Sequence, residues 1–85
     1  MDIMEKNIRD IYEKTLKPQG IELVSFTDGS TAEANPENFS TEITQRTMVL
    51  FRKGENEVTE TFYSTDSAKI ESIMKQVQLE FALKP

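Results

Sequence analysis

The pattern of hydrophobic and polar positions predicts a helix near each end of the chain. Over residues 2–17, and again from Ala68 onward, apolar residues recur at the spacing of an amphipathic helix. Pro18 and Gly20 end the first helix. The apolar positions are Ile3, Met4, Ile8, Ile11, Tyr12 and Leu16 in the first helix, and Ile70, Ile73, Met74, Val77 and Phe81 in the second.

The first strand and a long connection are predicted after the first helix. Residues 21–27 are rich in β-formers and are followed by Asp28 and Gly29, so they predict a strand. Residues 29–38 are polar, and Pro36 biases the residue before it away from helical backbone angles, which marks a turn or loop. We therefore expect residues 29–38 to form a long polar connection.

Two further strands are predicted to form a hairpin. The first begins at Phe39 or Ser40 and ends near Lys53, and the second covers residues 57–64, with a glycine-containing tight turn between them. Residues 48–51 are apolar on both faces of the strand that contains them. We therefore expect this strand at the centre of the sheet.

These elements predict the order α-β-β-β-α in one domain over residues 1–85. The fold class is α+β, with a three-stranded antiparallel sheet and N- and C-terminal helices. Phe51, Phe62 and Phe81 are expected in the core, because each lies on the apolar face of a predicted element.

The strand pattern leaves two arrangements of the helices open. Alternation assigns Ile43, Val49, Phe51, Val58 and Phe62 to one face, and Met48, Leu50 and Tyr63 to the other. If both helices pack on the first face, the second exposes an apolar patch, and we then expect a homodimer. If each helix covers one face, no such patch remains.

Composition argues against an enzyme. The chain has no His, Cys or Trp, which excludes Ser-His-Asp and Cys-His catalytic groups and His- or Cys-based metal sites. No glycine motif for binding phosphate and no calcium-binding loop is present, so we expect no cofactor. No apolar run is long enough to span a bilayer and no signal peptide is evident, so we expect a soluble cytoplasmic protein.

The acidic residues are segregated along the sequence. Between Pro18 and Gln45 there are five acids and no base, within a chain of net charge −5. This charge disfavours direct binding to nucleic acid or to an anionic membrane. One interpretation is a solvated loop, and the other is a contact surface for the basic, nucleic-acid-binding surface of a larger protein. The residues of that predicted contact surface are Asp28, Glu33, Glu37 and Glu42.

The second interpretation predicts a small protein-interaction module that acts as an inhibitor. Compact acidic proteins of this size occur among phage-encoded and toxin-neutralising inhibitors, which is an analogy of class and not a motif match. The alternative function is an oligomeric protein that binds or sequesters an anionic small molecule. The residues predicted for that anion site are Arg46, Arg52, Lys53 and Tyr63. The simplest role for the three basic residues is instead cross-strand pairing with Glu57 and Glu60.

Overall fold

A computed structural model of the chain describes residues 3–29, 31–35, 37 and 40–84, and for residues 31–33, 35 and 40–44 it describes the backbone. The described elements, in chain order, are helix α1 (Ile3–Thr15), a short 3-10 turn (Lys17–Gln19), strands β1 (Glu22–Asp28), β2 (Thr31–Asn35), β3 (Ser40–Thr44), β4 (Thr47–Lys53) and β5 (Asn56–Phe62), and helix α2 (Ser67–Leu83). Strands β1, β4 and β5 form a three-stranded antiparallel sheet. In the sequence, α1 precedes these strands and α2 follows them, so the predicted α-β-β-β-α arrangement is confirmed.

Strand β4 lies at the centre of the three-stranded sheet, as its apolar run predicts. Alternate β4 residues, namely Thr47, Val49 and Phe51, are buried on one face, which we call the inner face. Leu50 and the other intervening residues point to the opposite, outer face. Strand β1 carries a bulge at Val24, where its register against β4 shifts by one residue.

Both helices pack on the inner face. One continuous apolar core joins α1, the three strands and α2, so the arrangement with one helix on each face is not found. Its buried members are Met4, Ile8, Ile11, Leu16, Ile21, Val49, Phe51, Val58, Phe62, Ile70, Met74, Val77 and Phe81. The predicted burial of Phe51, Phe62 and Phe81 is confirmed.

Side-chain contacts fix how the helices lie on the sheet. Helix α1 covers β1, because the Arg9 guanidinium lies 5.1 Å from the centre of the Phe26 ring. The Asn7 amide donates to the Thr65 carbonyl at 3.0 Å, just before α2 begins. The N-terminal ends of both helices therefore lie at the same end of the sheet as the C-terminal end of β1.

Both helix ends follow from local sequence. Helix α1 stops at Thr15, two residues before the predicted end, because the chain tightens into a 3-10 turn that contains Pro18. Gly20 closes this turn with a left-handed φ of 78°. The Asp66 carboxylate accepts a hydrogen bond from the Ala68 backbone N–H at 2.8 Å and caps α2.

The connection predicted at residues 29–38 is the main correction to the sequence interpretation. It contains β2, which pairs with β3 in a separate two-stranded antiparallel sheet. The long strand predicted up to Lys53 is likewise interrupted at Gln45 and Arg46, so that β3 and β4 are distinct. Phe39, proposed as its first residue, lies outside the described residues. Backbone hydrogen bonding between two polar segments forms this hairpin, whereas the prediction relied on apolar residues.

The β2–β3 hairpin extends the β1–β4 ladder outward. Asp28 pairs with Thr47 and Thr31 pairs with Thr44. The register of the β1–β4 pairing therefore continues into the β2–β3 pairing, across the gap at Gln45 and Arg46. The Gly29 N–H donates to the Arg46 carbonyl at 3.0 Å and bridges the gap. The fold is accordingly elongated, with extents of 50 × 22 × 20 Å and a radius of gyration of 14.9 Å. A compact chain of this length has a radius of gyration of about 12 Å.

Candidate functional site

The hairpin of β2 and β3, residues 31–44, forms a projection that we call the acidic arm. It contains Glu33, Glu37 and Glu42 and no basic residue, and Asp28 lies where it joins the three-stranded sheet. The fold thus places Glu33 and Glu42 on the two-stranded ribbon, Glu37 in the connection between its strands, and Asp28 at its base in β1. Asp28 is five positions from Glu33 along the strand direction, or about 17 Å at the rise of an extended chain.

Register within the arm places two of these acids opposite each other. Glu33 and Glu42 are Cα partners in the β2–β3 ladder. Directly opposite like charges destabilise an antiparallel pair, whereas opposite charges stabilise it. The register therefore predicts a like-charge pair in the middle of the hairpin, which is expected to weaken strand pairing. Glu37, in the connection between β2 and β3, is exposed, as is Ala34 in β2.

The predicted anion-binding residues do not converge on one point. The Arg46 guanidinium lies 5.7 Å from the centre of the Tyr63 ring, so these two residues are neighbours. Arg52, six residues along the chain from Arg46, is about 20 Å away on an extended strand. There Arg52 Nε lies 4.0 Å from Glu57 Oε1.

Lys53 is at the turn between β4 and β5. It lines a shallow depression of about 580 Å³ with Gly54, Glu55, Asn56, Phe81 and Lys84. The Lys84 ammonium donates to the Glu57 carbonyl at 3.3 Å. This depression contains neither Arg46 nor Tyr63, so the four residues predicted for an anion site are divided between the two ends of β4.

Glu60 lies on the inner face and not beside the basic residues with which pairing was expected. Its Cα partner is the buried Val49, and it lies in β5 between the buried residues Val58 and Phe62. Burial raises the pKa of the Glu60 carboxyl, and the negative charge of Glu80 raises that pKa further. A hydrogen bond with the Thr61 backbone acts in the opposite direction.

Replacing Glu60 with Gln is expected to stabilise the protein at neutral pH. The folded-state pKa of Glu60 lies above its unfolded value, so its stabilising contribution is complete below the unfolded pKa and is lost as pH rises through the folded pKa. At pH 7, Glu60→Gln should therefore increase the free energy of unfolding, by less than about 1 kcal/mol because solvent screens this half-buried group.

Thermal unfolding at neutral pH and near pH 4 tests this prediction, because the advantage of Glu60→Gln should disappear where the wild-type carboxyl is protonated. Glu57→Gln is the matched control, since Glu57 lies on the other face of the same strand and its ion pair with Arg52 is lost. Equal effects of the two substitutions, or an advantage of Glu60→Gln that persists near pH 4, would contradict the assignment.

Sequence reasoning identified the acids of the arm but missed the arm itself. The available signal was symmetry: two segments of five residues each, residues 31–35 and 40–44, flank a region that contains the turn-forming residues Pro36 and Asn38. That signal was weak because the first segment contains no β-branched or aromatic residue beyond Thr31.

Comparisons with protein-family models, with curated proteins and with solved structures give no match to this chain. Within the described ranges, no helix combines the length and the apolar character that a bilayer crossing requires.

Proposed function

We propose that this chain is a small protein-interaction module whose acidic arm occupies the basic, nucleic-acid-binding surface of a larger protein and so inhibits it. The observation that carries the proposal is the projecting ribbon with Glu33 and Glu42 opposite each other and no base over residues 31–44. In this proposal the inhibitor acts in the cytoplasm, where it meets its nucleic-acid-binding partner.

Charge arrangement supports a contact role for the arm. A solvated hairpin gains nothing from opposed acids, because their repulsion works against strand pairing. A basic surface would offset that repulsion, since each carboxylate then lies near cations. Such complementarity speeds encounter through long-range attraction and makes the association rate dependent on salt.

The shape of the arm supports inhibition by occupancy. Two paired strands are about 5 Å apart, and the paired part of β2 and β3 is about 17 Å long. Carboxylates arranged along such a ribbon present negative charge at intervals, as the phosphates of a nucleic acid do. A basic groove that holds the arm is then closed to nucleic acid without any chemical step by this chain.

Charge reversal of the arm should weaken binding to the partner. The chain, immobilised as bait, is incubated with extract of the cells that naturally produce it, and captured proteins are identified by mass spectrometry. A captured nucleic-acid-binding protein is then purified and mixed with a labelled oligonucleotide. We expect wild-type chain to displace the oligonucleotide, and the triple variant Glu33→Lys, Glu37→Lys, Glu42→Lys to lose at least about tenfold in apparent affinity.

The matched control is the triple reversal Glu13→Lys, Glu55→Lys, Glu71→Lys. These three acids are exposed and lie outside the arm, and the change in net charge is the same. Circular dichroism checks that both variants fold. If both triple variants displace the oligonucleotide equally well, or if the wild-type association rate does not change with salt, the arm is not the contact surface.

The alternative, an anion-sequestering protein that uses Arg46, Arg52, Lys53 and Tyr63, has less support because these residues are divided between the two ends of β4. Titration with inorganic phosphate and with a nucleotide, followed by calorimetry, distinguishes it. Only a ligand-binding protein is expected to take up such an anion without a protein partner.

A further inference from the structure

The outer face of the three-stranded sheet is not covered by either of the described helices. Both helices lie on the inner face, so the side chains of the outer face are open to solvent or to a partner. Val24 is 37% exposed, and Met48 and Leu50 at the centre are half-buried. Tyr63, at one end, is 59% exposed.

Both edges of this sheet are protected against an added strand. At the β1 edge, the Tyr12 hydroxyl donates to the Ile21 carbonyl at 2.6 Å and accepts from the Leu23 N–H at 3.1 Å. These backbone groups point away from β4, and a new strand would need them.

Strand β5 is protected in two ways. First, the Lys84 ammonium donates a hydrogen bond to the Glu57 carbonyl, so this carbonyl is already bonded and is not available to an added strand. Second, Glu60 places an acidic side chain on the inner face of this edge strand, where an added strand would bury it further. A partner is therefore expected on the outer face and not at an edge.

Charges are arranged unequally along the outer face. At one end, Glu22, Arg52 and Glu57 are paired across the three strands and form a row with a net charge of −1. At the other end, Arg46 lies over Tyr63 and supplies a positive charge. Between these ends are the half-buried apolar residues Met48 and Leu50 and a set of threonines.

We propose that the outer face binds a second copy of this chain, face to face, with the strands of the two copies antiparallel. In this orientation Arg46 of each copy meets the acidic row of the other, and the two-fold axis passes over β4 near Met48 and Leu50. A parallel arrangement would instead bring the two Arg46 residues together, which is repulsive. Antiparallel packing thus satisfies both ends of the charge pattern and covers the apolar centre from both sides.

The size of the face sets the strength of this dimer. Three strands of seven residues give a surface about 24 Å long and 14 Å wide. Two such faces bury less than about 1,200 Å² in total, which is the range of weak interfaces. We expect a dissociation constant on the order of 10–1,000 µM, so the protein is monomeric when dilute. This proposal is independent of the acidic arm, which extends beyond the sheet.

Sedimentation equilibrium between about 10 µM and 1 mM tests self-association. The average mass of the wild-type chain should rise from 9.8 kDa toward twice that value. Leu50→Lys places an ammonium at the centre of the interface and should weaken the dimer by about tenfold or more. Leu79→Lys is the matched control, because Leu79 is 63% exposed on α2, away from the outer face.

Charge exchange tests the orientation. In the homodimer, residue 46 of each copy faces the acidic row of the other copy, so this contact occurs twice. Arg46→Glu and Glu57→Arg should each weaken the homodimer by about tenfold, since each substitution makes both of these contacts repulsive. Mixing the two variants should restore association, because the heterodimer is complementary at both ends. Circular dichroism confirms that each variant folds.

Three results would overturn the proposal. The first is a chain that stays monomeric at about 1 mM. The second is an equal effect of Leu50→Lys and Leu79→Lys on the dimer, because a contact on the outer face should be weakened by Leu50→Lys alone. The third is a mixture of Arg46→Glu and Glu57→Arg chains that associates no better than either variant alone.

Discussion

Phe62→Ala is expected to remove about 3–5 kcal/mol from the free energy of unfolding, the largest effect that we predict for a single substitution in this chain. The Phe62 side chain is fully buried, and its ring meets the Phe51 ring edge to face at a centroid distance of 6.5 Å. Truncation leaves a cavity between β5 and the helices. Because small domains are stable by only about 5–15 kcal/mol, this loss consumes much of the total.

The neighbouring aromatic residue supplies the control. Tyr63 is 59% exposed on the opposite face, so Tyr63→Ala should lose its contact with Arg46 and cost no more than about 1 kcal/mol. Urea unfolding of dilute protein, followed by circular dichroism, measures both variants. A loss below about 1 kcal/mol for Phe62→Ala, or equal losses at the two positions, would show that the inner face is assigned incorrectly.

The helices and the three-stranded sheet could be predicted because their apolar residues follow strong periods. Buried positions Ile70, Met74 and Val77 repeat with the period of a helix, and Val49 and Phe51 alternate as in a strand. Burial of such residues determines the fold, so the pattern and the structure agree. The end of α1 was less predictable, because one proline within a polar stretch decides where the helix tightens.

The acidic arm could not be predicted in the same way, because its stability does not come from a buried apolar face. Its strands pair with each other, and the pattern of residues 31–35 contains too few β-formers to indicate a strand. The sequence did show the run of acids. Only the register shows that Glu33 and Glu42 are partners, and this is the feature on which the proposed function depends.

The position of Glu60 could have been predicted. Alternation assigns Val58 and Phe62 to one face, and Glu60 lies midway between them, so the same alternation places it on that face as well. The expected pairing with a base gave way to burial and to repulsion from Glu80, both of which raise the pKa of Glu60. In an edge strand, such an inward acid trades stability for protection against unwanted pairing.

Glu42→Lys should stabilise the acidic arm while weakening its contact with the partner. The substitution places a cation opposite Glu33 and replaces a repulsive cross-strand pair with an attractive one. The gain for the hairpin is about 0.2–1 kcal/mol. The same change reduces the negative charge of the arm by two units, so association with a basic surface should slow by about tenfold at low salt.

Two measurements separate these effects. Hydrogen exchange of the amides in β2 and β3 should slow in Glu42→Lys, a result that needs no partner. Stopped-flow mixing with the captured nucleic-acid-binding protein, at several salt concentrations, gives the association rate. The control is Thr41→Lys, which adds one positive charge at a position whose partner is Ala34, so it relieves no repulsion. If Glu42→Lys slows exchange in the arm but associates as fast as wild type, the opposed acids serve no contact and the outer face becomes the leading candidate for partner binding. If exchange in the arm does not slow either, Glu33 and Glu42 do not repel each other measurably, and the arm is not an acidic contact surface.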